Sequence, residues 1–197
     1  MKTEAGPVAQ ASKPVKASER APAQPAPTQH EPEVVPQPAP EKNEMEWVVA
    51  PTPARLGDVE VKVVSANIAP VALEGPTGEG QSKEPQLILT IRVSNSNRNR
   101  IIEYRTWAGA DVSFTRDSAT LQDNFENIYK RITFGIFDRP VGRVVSDSIY
   151  PGKSLTDVLI FEAPLENIQH LDLEMPAKNV GTKGLFKIRI PTAMIER

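Results

Sequence analysis

Between Leu121 and Ile132 the chain reads LQDNFENIYKRI, which gathers Asp123, Asn124, Glu126 and Asn127 around one short stretch. Oxygen-bearing side chains packed this closely are what a hard cation such as calcium requires. A calcium loop of the helix-loop-helix kind needs oxygen ligands at alternate positions, a glycine at the sixth and a glutamate at the twelfth. Counted from Asp123, those places hold Phe125 (third), Ile128 (sixth) and Phe134 (twelfth), so the pattern fails. The same residues suit a hairpin turn, because Asp and Asn side chains bond their own backbone and tolerate left-handed conformations. The turn is the favoured reading. Weak calcium binding through it, with Asp117 or a neighbouring loop, is the alternative, which would make the protein a small-ligand or calcium-binding domain.

Other stretches carry less chemistry. GPTGEGQS, Gly75 to Ser82, has the spacing of a phosphate-binding loop, but Gln81 stands where the phosphate-reaching lysine belongs, and a strand pattern follows instead of a helix. An inter-strand loop from Ala69 to Gln86 is expected. There is no cysteine, and the two histidines, His30 and His170, have no motif-like serine setting, so nucleophilic catalysis finds no candidates. His170 is expected as a surface or cap residue. Carboxylates could still meet from distant strands, yet the favoured expectation is a protein that is not an enzyme and uses no cofactor or metal. The loop SNSNRNRIIEYR sets Arg98, Arg100 and Arg105 beside Tyr104 and Trp107. The arginines are candidates for contact with a partner, and the two aromatics are expected in the core.

Those residues must be positioned by a domain that occupies only part of the chain. Of the 19 prolines, 11 fall in residues 1–55, together with a single glycine, Gly6. The stretch APAQPAPTQHEPEVVPQPAPEK favours extended polyproline II over any packed element. Residues 1–55 are therefore expected to be a disordered tether or linker. A bland leader is the second reading, and a PxxP ligand at Pro22 to Pro25 the third. Residues 56–197 are long enough to bury a core without disulfides.

Net charge is −2, and neither part has a basic excess. A dedicated nucleic-acid binder is disfavoured, since phosphate neutralisation supplies most of such affinity. No apolar run approaches the length of a membrane helix, and MKTEAGPVAQ has no apolar core of a signal peptide. The chain reads either as cytosolic or as a protein whose exporting or anchoring segment has been removed.

From Asp58 the apolar period becomes two. Val59, Val61 and Val63 alternate with Glu60 and Lys62, and Leu87, Leu89, Ile91 and Val93 alternate with mostly polar neighbours. Similar patterns run through Val112 and Phe114, Ile132 to Ile136, Leu171 to Met175 and Phe186 to Ile190. Leu155 to Phe161 becomes apolar on both parities, as in a central strand. Turn clusters separate them, and Pro164 to Leu171 offers at most one helical turn. Seven or eight short strands predict an all-β antiparallel sandwich or barrel.

Taken together, LGDVEVKVVSA, LILTIRVSNSN, YRTW, LQDNFENIYKRI and PGKSLTDVLIFEAP resemble the bacterial envelope domains with a telokin-like, immunoglobulin-like sandwich, many of unknown function. The last segment is similar to their PG-x-S-x-x-D/G-x-x-x-F-E-x-P signature. Glu126 departs from the pattern, standing where glycine is common. The resemblance implies an immunoglobulin-like β-sandwich, an extracytoplasmic place in the periplasm or on the cell surface, and another envelope protein as partner. It carries over no catalytic residues. It implies a core containing Tyr129, Phe134, Ile136, Leu159, Phe161 and Leu173, and a turn at Pro151-Gly152. The candidate contact residues are then Arg98, Arg100 and Arg105 with Asp123, Asn124, Glu126 and Asn127.

Overall fold

Alternation puts Val59, Val61 and Val63 on one face of a strand, and in the structure all three are buried while Lys62 is exposed. The computed structural model describes residues 46–76, 78–109, 117–135 and 137–197. The proline-rich segment, Pro22 to Pro25, His30, Val112, Phe114 and Ile136 lie outside the described residues. The strands in chain order are β1 (Val48–Val49), β2 (Ala54–Leu56), β3 (Val59–Gly75), β4 (Gly78–Asn95), β5 (Ile102–Arg105), β6 (Thr120–Asp123) and β7 (Ile128–Tyr129). They continue with β8 (Arg139–Pro140), β9 (Ser146–Ile149), β10 (Ser154–Phe161), β11 (His170–Pro176), β12 (Leu185–Pro191) and β13 (Ile195–Glu196).

The architecture is an all-β sandwich. One sheet runs β1-β12-β11-β6-β7, the other runs β10-β4-β3-β13, with β2 and β8 also on β3, and β5 pairs with β9 alone. The facing residues interdigitate as apolar layers. Leu87, Leu89, Ile91, Leu159 and Phe161 come from one sheet, and Leu121, Leu171, Leu173, Phe186 and Ile188 from the other, all essentially without solvent exposure. Trp107 sits between them, edge-on to Tyr104 at 5.4 Å and to Phe186 at 6.1 Å between ring centroids. Its indole N–H donates to the Pro176 carbonyl at 2.8 Å, which lets the largest side chain be buried without an orphan donor.

Several expectations change. β1 and the first two residues of β2 lie within residues 1–55, yet β1 pairs with β12 and β2 with β3. Two pairs are parallel, β1 with β12 and β13 with β3, because short segments near either end of the fold lie along the margins of the sheets. The loop expected from Ala69 to Gln86 is instead a paired hairpin. Its rungs continue to Gly75↔Gly78, where Gly78 takes a positive φ of 109° that favours glycine. Its side chains are mostly polar because much of that hairpin faces water. Of the strand expected over Ile132 to Ile136, residues 132–135 form none. Arg131 bridges Phe161 and Ile132 N–H reaches the Ile160 carbonyl at 3.0 Å, after which the chain leaves the sheet and Phe134 is only half-buried. The helical turn expected at Pro164 to Leu171 does not form: residues 164–169 are an irregular loop that buries Ile168 and exposes Leu165, two residues a helix would place on one face, and His170 and Leu171 already belong to β11.

Phe161→Ala removes a fully buried ring next to the point where β10 meets Arg131, and is expected to cost about 3–5 kcal/mol. Urea denaturation reads this directly. A variant melting within about a degree of the parent would contradict the packing of Phe161 in the core.

Candidate functional site

The sequence joins β6 to β7 through Asp123, Asn124, Phe125, Glu126 and Asn127, and the structure makes this a tight turn built on one carboxylate. Asp123 is 2% exposed. Its Oδ1 accepts the N–H groups of Phe125 at 2.8 Å and Asn127 at 3.0 Å. Its Oδ2 accepts the Asn127 side-chain amide at 2.9 Å and the Tyr129 hydroxyl at 2.7 Å. Burial pushes the carboxyl up, but the hydrogen bonds from Tyr129, Asn127 and the two backbone N–H groups outweigh it and bring it down to about 2. Burial, and then the bond to Asp123, push the Tyr129 hydroxyl up to about 12. Glu126 occupies the left-handed region, with φ 64°, at the place where glycine is common in the resembling sequences.

The turn is fastened to the β10–β11 loop. Asn124 Oδ1 accepts Gln169 N–H at 2.7 Å, and Leu165 N–H reaches the Tyr129 hydroxyl at 3.3 Å. Each carboxylate oxygen of Asp123 already receives two donors, and the Asn124 oxygen receives one. Among the described residues no cluster of three or more His, Asp or Glu has metal-binding geometry. The arrangement of donors is that of a structural clamp. Beside Glu126 and Asn127 it presents large apolar side chains outward: Phe125 is 63% exposed, Ile128 73% and, on the adjoining loop, Leu165 60%.

A second polar clamp lies at the other end of β10. Asn95, 1% exposed, donates through its side-chain amide to the carbonyls of Arg100 at 2.7 Å and Ile149 at 2.8 Å, and accepts Asn97 N–H at 2.9 Å. Asn97 Oδ1 in turn accepts the N–H groups of Asn99 and Arg100 at 2.7 Å each. The Arg98 and Arg100 loop and the Tyr150-Pro151-Gly152-Lys153 turn are thereby held together. Gly152 has the positive φ expected of such a turn, 71°. Arg98 and Arg100 are exposed. Arg105 is exposed too, but it belongs to β5.

The seven candidate contact residues therefore do not form one site. Asp123 is buried and structural. Asn124, Glu126 and Asn127 share its turn, whereas Arg98 and Arg100 sit at the opposite end of β10. Tyr104 and Trp107 belong to the core, as expected.

Sequence reasoning missed Asp157. It is fully buried on the inner face of β10, opposite Ile91. It accepts the Tyr104 hydroxyl, the Thr106 hydroxyl at 2.7 Å and the N–H groups of Val144 and Val158 at 2.8 and 2.7 Å. Burial, and next the Asp157 charge, push the Tyr104 hydroxyl far up. The available signal was one acid within the apolar run LTDVLIF. On the other sheet Asp172 is bidentate to Arg189 at 2.8 and 2.9 Å, with His170 at 3.6 Å, and the Trp47 ring lies beside Arg189 and Lys187. A shallow cleft of about 130 Å³ beside β12 is lined by Val48, Arg55, Leu56 and Phe186, with Arg55 already paired to Glu60 at 2.7 Å.

Solved structures similar to this chain include two from Bacillus subtilis. The yjhA protein has a TM-score of 0.48 and 12% identity, over 73% of this chain and 98% of that one. The ycdA protein, a candidate lipoprotein, has a TM-score of 0.43 and 14% identity, over 71% of this chain and 38% of that one. No protein-family model matches the chain, and no curated protein matches it.

Two variants test the clamp. Tyr129→Phe removes one donor to a buried carboxylate and is expected to cost about 1.5–3 kcal/mol at neutral pH. The carboxyl of Asp123 is depressed in the folded state, so the stability it contributes is present above its ordinary value of 3.8 and is lost as pH falls toward about 2. With the tyrosine donor gone the folded carboxyl rises toward its ordinary value, so the loss still begins near 3.8 but ends at a higher pH and is smaller than in the parent, and a pH dependence of the urea midpoint identical to the parent's would contradict the clamp. Glu126→Gly relieves the left-handed strain and should stabilise by about 0.5–1 kcal/mol, net of glycine's greater freedom when unfolded. A drop in melting temperature would show that the Glu126 side chain contributes more than its backbone costs.

Proposed function

We propose that the chain is a non-catalytic interaction or assembly module of a bacterial cell envelope, an immunoglobulin-like sandwich displayed outside the cytoplasm on its proline-rich segment. The observation that carries this reading is the pairing of rigid turns with exposed apolar side chains. Phe125, Ile128 and Leu165 stand in solvent on segments whose backbones are fixed by Asp123, Tyr129 and Asn124. Ordering a loop before binding removes part of the entropy cost of association, and apolar side chains grouped on the surface mark contact sites.

The buried polar groups support the non-catalytic part. Asp123, Asp157 and Asp172 each have their oxygens engaged by donors within the fold. The proline-rich composition supports a spacer, since such sequences are extended and semi-rigid. The immunoglobulin-like assignment of telokin type rests on the motif resemblance, and the left-handed Glu126 and the Pro151-Gly152 turn agree with it. No helix among the described residues is long and apolar enough to cross a membrane.

Crosslinked capture from envelope and cytosolic fractions tests the reading, with the full chain compared to a Phe125→Ser, Ile128→Ser double variant of unchanged melting temperature. The expected result is a specific protein, which includes the chain itself, captured from the envelope fraction and weakened by roughly tenfold or more in the variant. Identical capture by both proteins would overturn it.

A further inference from the structure

The two ends of the sandwich differ in a way that makes each a fit for the other. β10 spans eight residues, so its ends lie about 23 Å apart at roughly 3.3 Å per residue. Just beyond Phe161 is the end that displays Phe125, Ile128 and Leu165. The charged residues there are Glu126, Glu162 and Glu166 against Lys130 and Arg197, three acids to two bases. Just before Ser154 is the end that displays Ile101 and Tyr150, 44% and 58% exposed. These two extend the Ile102↔Ile149 rung of β5 and β9 by one residue on each side, which places them opposite one another. The charged residues at that end are Arg98, Arg100 and Lys153 against Asp58 and Glu103, three bases to two acids.

Each end thus combines exposed apolar side chains with charges of one prevailing sign, and the signs are opposite. Each is also held by its own buried polar residue, Asp123 at the acidic end and Asn95 at the basic end. An apolar centre within a polar rim is the general plan of a protein interface, and complementary rims favour one partner and one orientation.

We propose that a second copy of this chain is the occupant, its basic end seated on the acidic end of the first. This rests on the interaction-module reading and names the partner. Because the two surfaces differ and lie at opposite ends of one strand, the contact is head to tail. A pairing of this type leaves one free end of each kind on every dimer, so copies add in a row unless the rotation closes a ring.

Sedimentation of the purified full chain tests this. At low ionic strength the weight-average mass should rise above the 21.6 kDa of one chain as concentration increases. It should fall back in about 0.5 M salt, where the screening length is only a few ångströms. Phe125→Arg alters only the acidic end and Tyr150→Glu only the basic end. Both residues are exposed, so folding should be retained. Each variant alone should associate at least tenfold more weakly than the parent. An equimolar mixture should recover association but stop at two copies, because it contains one intact acidic end and one intact basic end.

A parent that stays monomeric at all concentrations would overturn the proposal. So would association that survives either variant alone, or a mixture that recovers nothing. If the purified chain is monomeric while capture still yields a different protein through Phe125 and Ile128, self-association fails and the interaction module stands. If the parent and the Phe125→Ser, Ile128→Ser variant capture alike and the purified chain is monomeric, both fail.

Discussion

The inner face of β10 carries a carboxylate, Asp157, between Leu155 and Leu159, where an oxygen without hydrogen bonds would be strongly destabilising. Four donors from three segments meet it: the hydroxyls of Tyr104 and Thr106, Val144 N–H and the neighbouring Val158 N–H. β5 pairs only with β9, yet this contact ties it to the β4–β10 sheet, and Trp107 next to it reaches across to Pro176 of the other sheet. The apolar layers supply the driving force for collapse. The hydrogen bonds to the carboxylate fix where β5 and the Val144 segment lie against β10.

The same solution recurs at both ends of the sandwich. Turns must satisfy backbone groups that no strand neighbour can reach, and here buried side chains do it, Asp123 at one end and Asn95 at the other. Side chains committed in this way have little capacity left for a ligand. They fix the backbone and turn the adjacent apolar and charged residues outward. In the proposed reading, the route from fold to function runs through presentation of surface.

Much of this was legible from the sequence, for reasons particular residues make plain. Period-two alternation located β3, β4, β11 and β12 because one face of each packs inward, and the Asp and Asn side chains between Leu121 and Tyr129 form the turn expected of them. The hairpin tip at Gly75 to Gly78 was illegible because its side chains are polar on both faces, so alternation carries no signal there. Ile132 and Phe134 misled for the opposite reason: their spacing matches a strand, but the chain departs from β10 after a single bridge at Arg131. Asp157 was hidden because its partners, Tyr104 and Val144, come from distant segments. The two ends were seen as separate candidate residues, but only the strand register shows that Arg98 and Arg100 lie a strand's length from Glu126.

Amide hydrogen exchange at the two ends measures the central claim, that buried polar side chains hold the exposed turns in one conformation. Phe125 and Asn127 N–H donate to Asp123, and Asn99 and Arg100 N–H donate to Asn97, all in segments open to water. These four amides should exchange roughly a hundredfold or more slower than in an unstructured peptide. Exchange at the unstructured rate would mean that the turns are not held, and the account of the ends as preformed contact surfaces would be wrong.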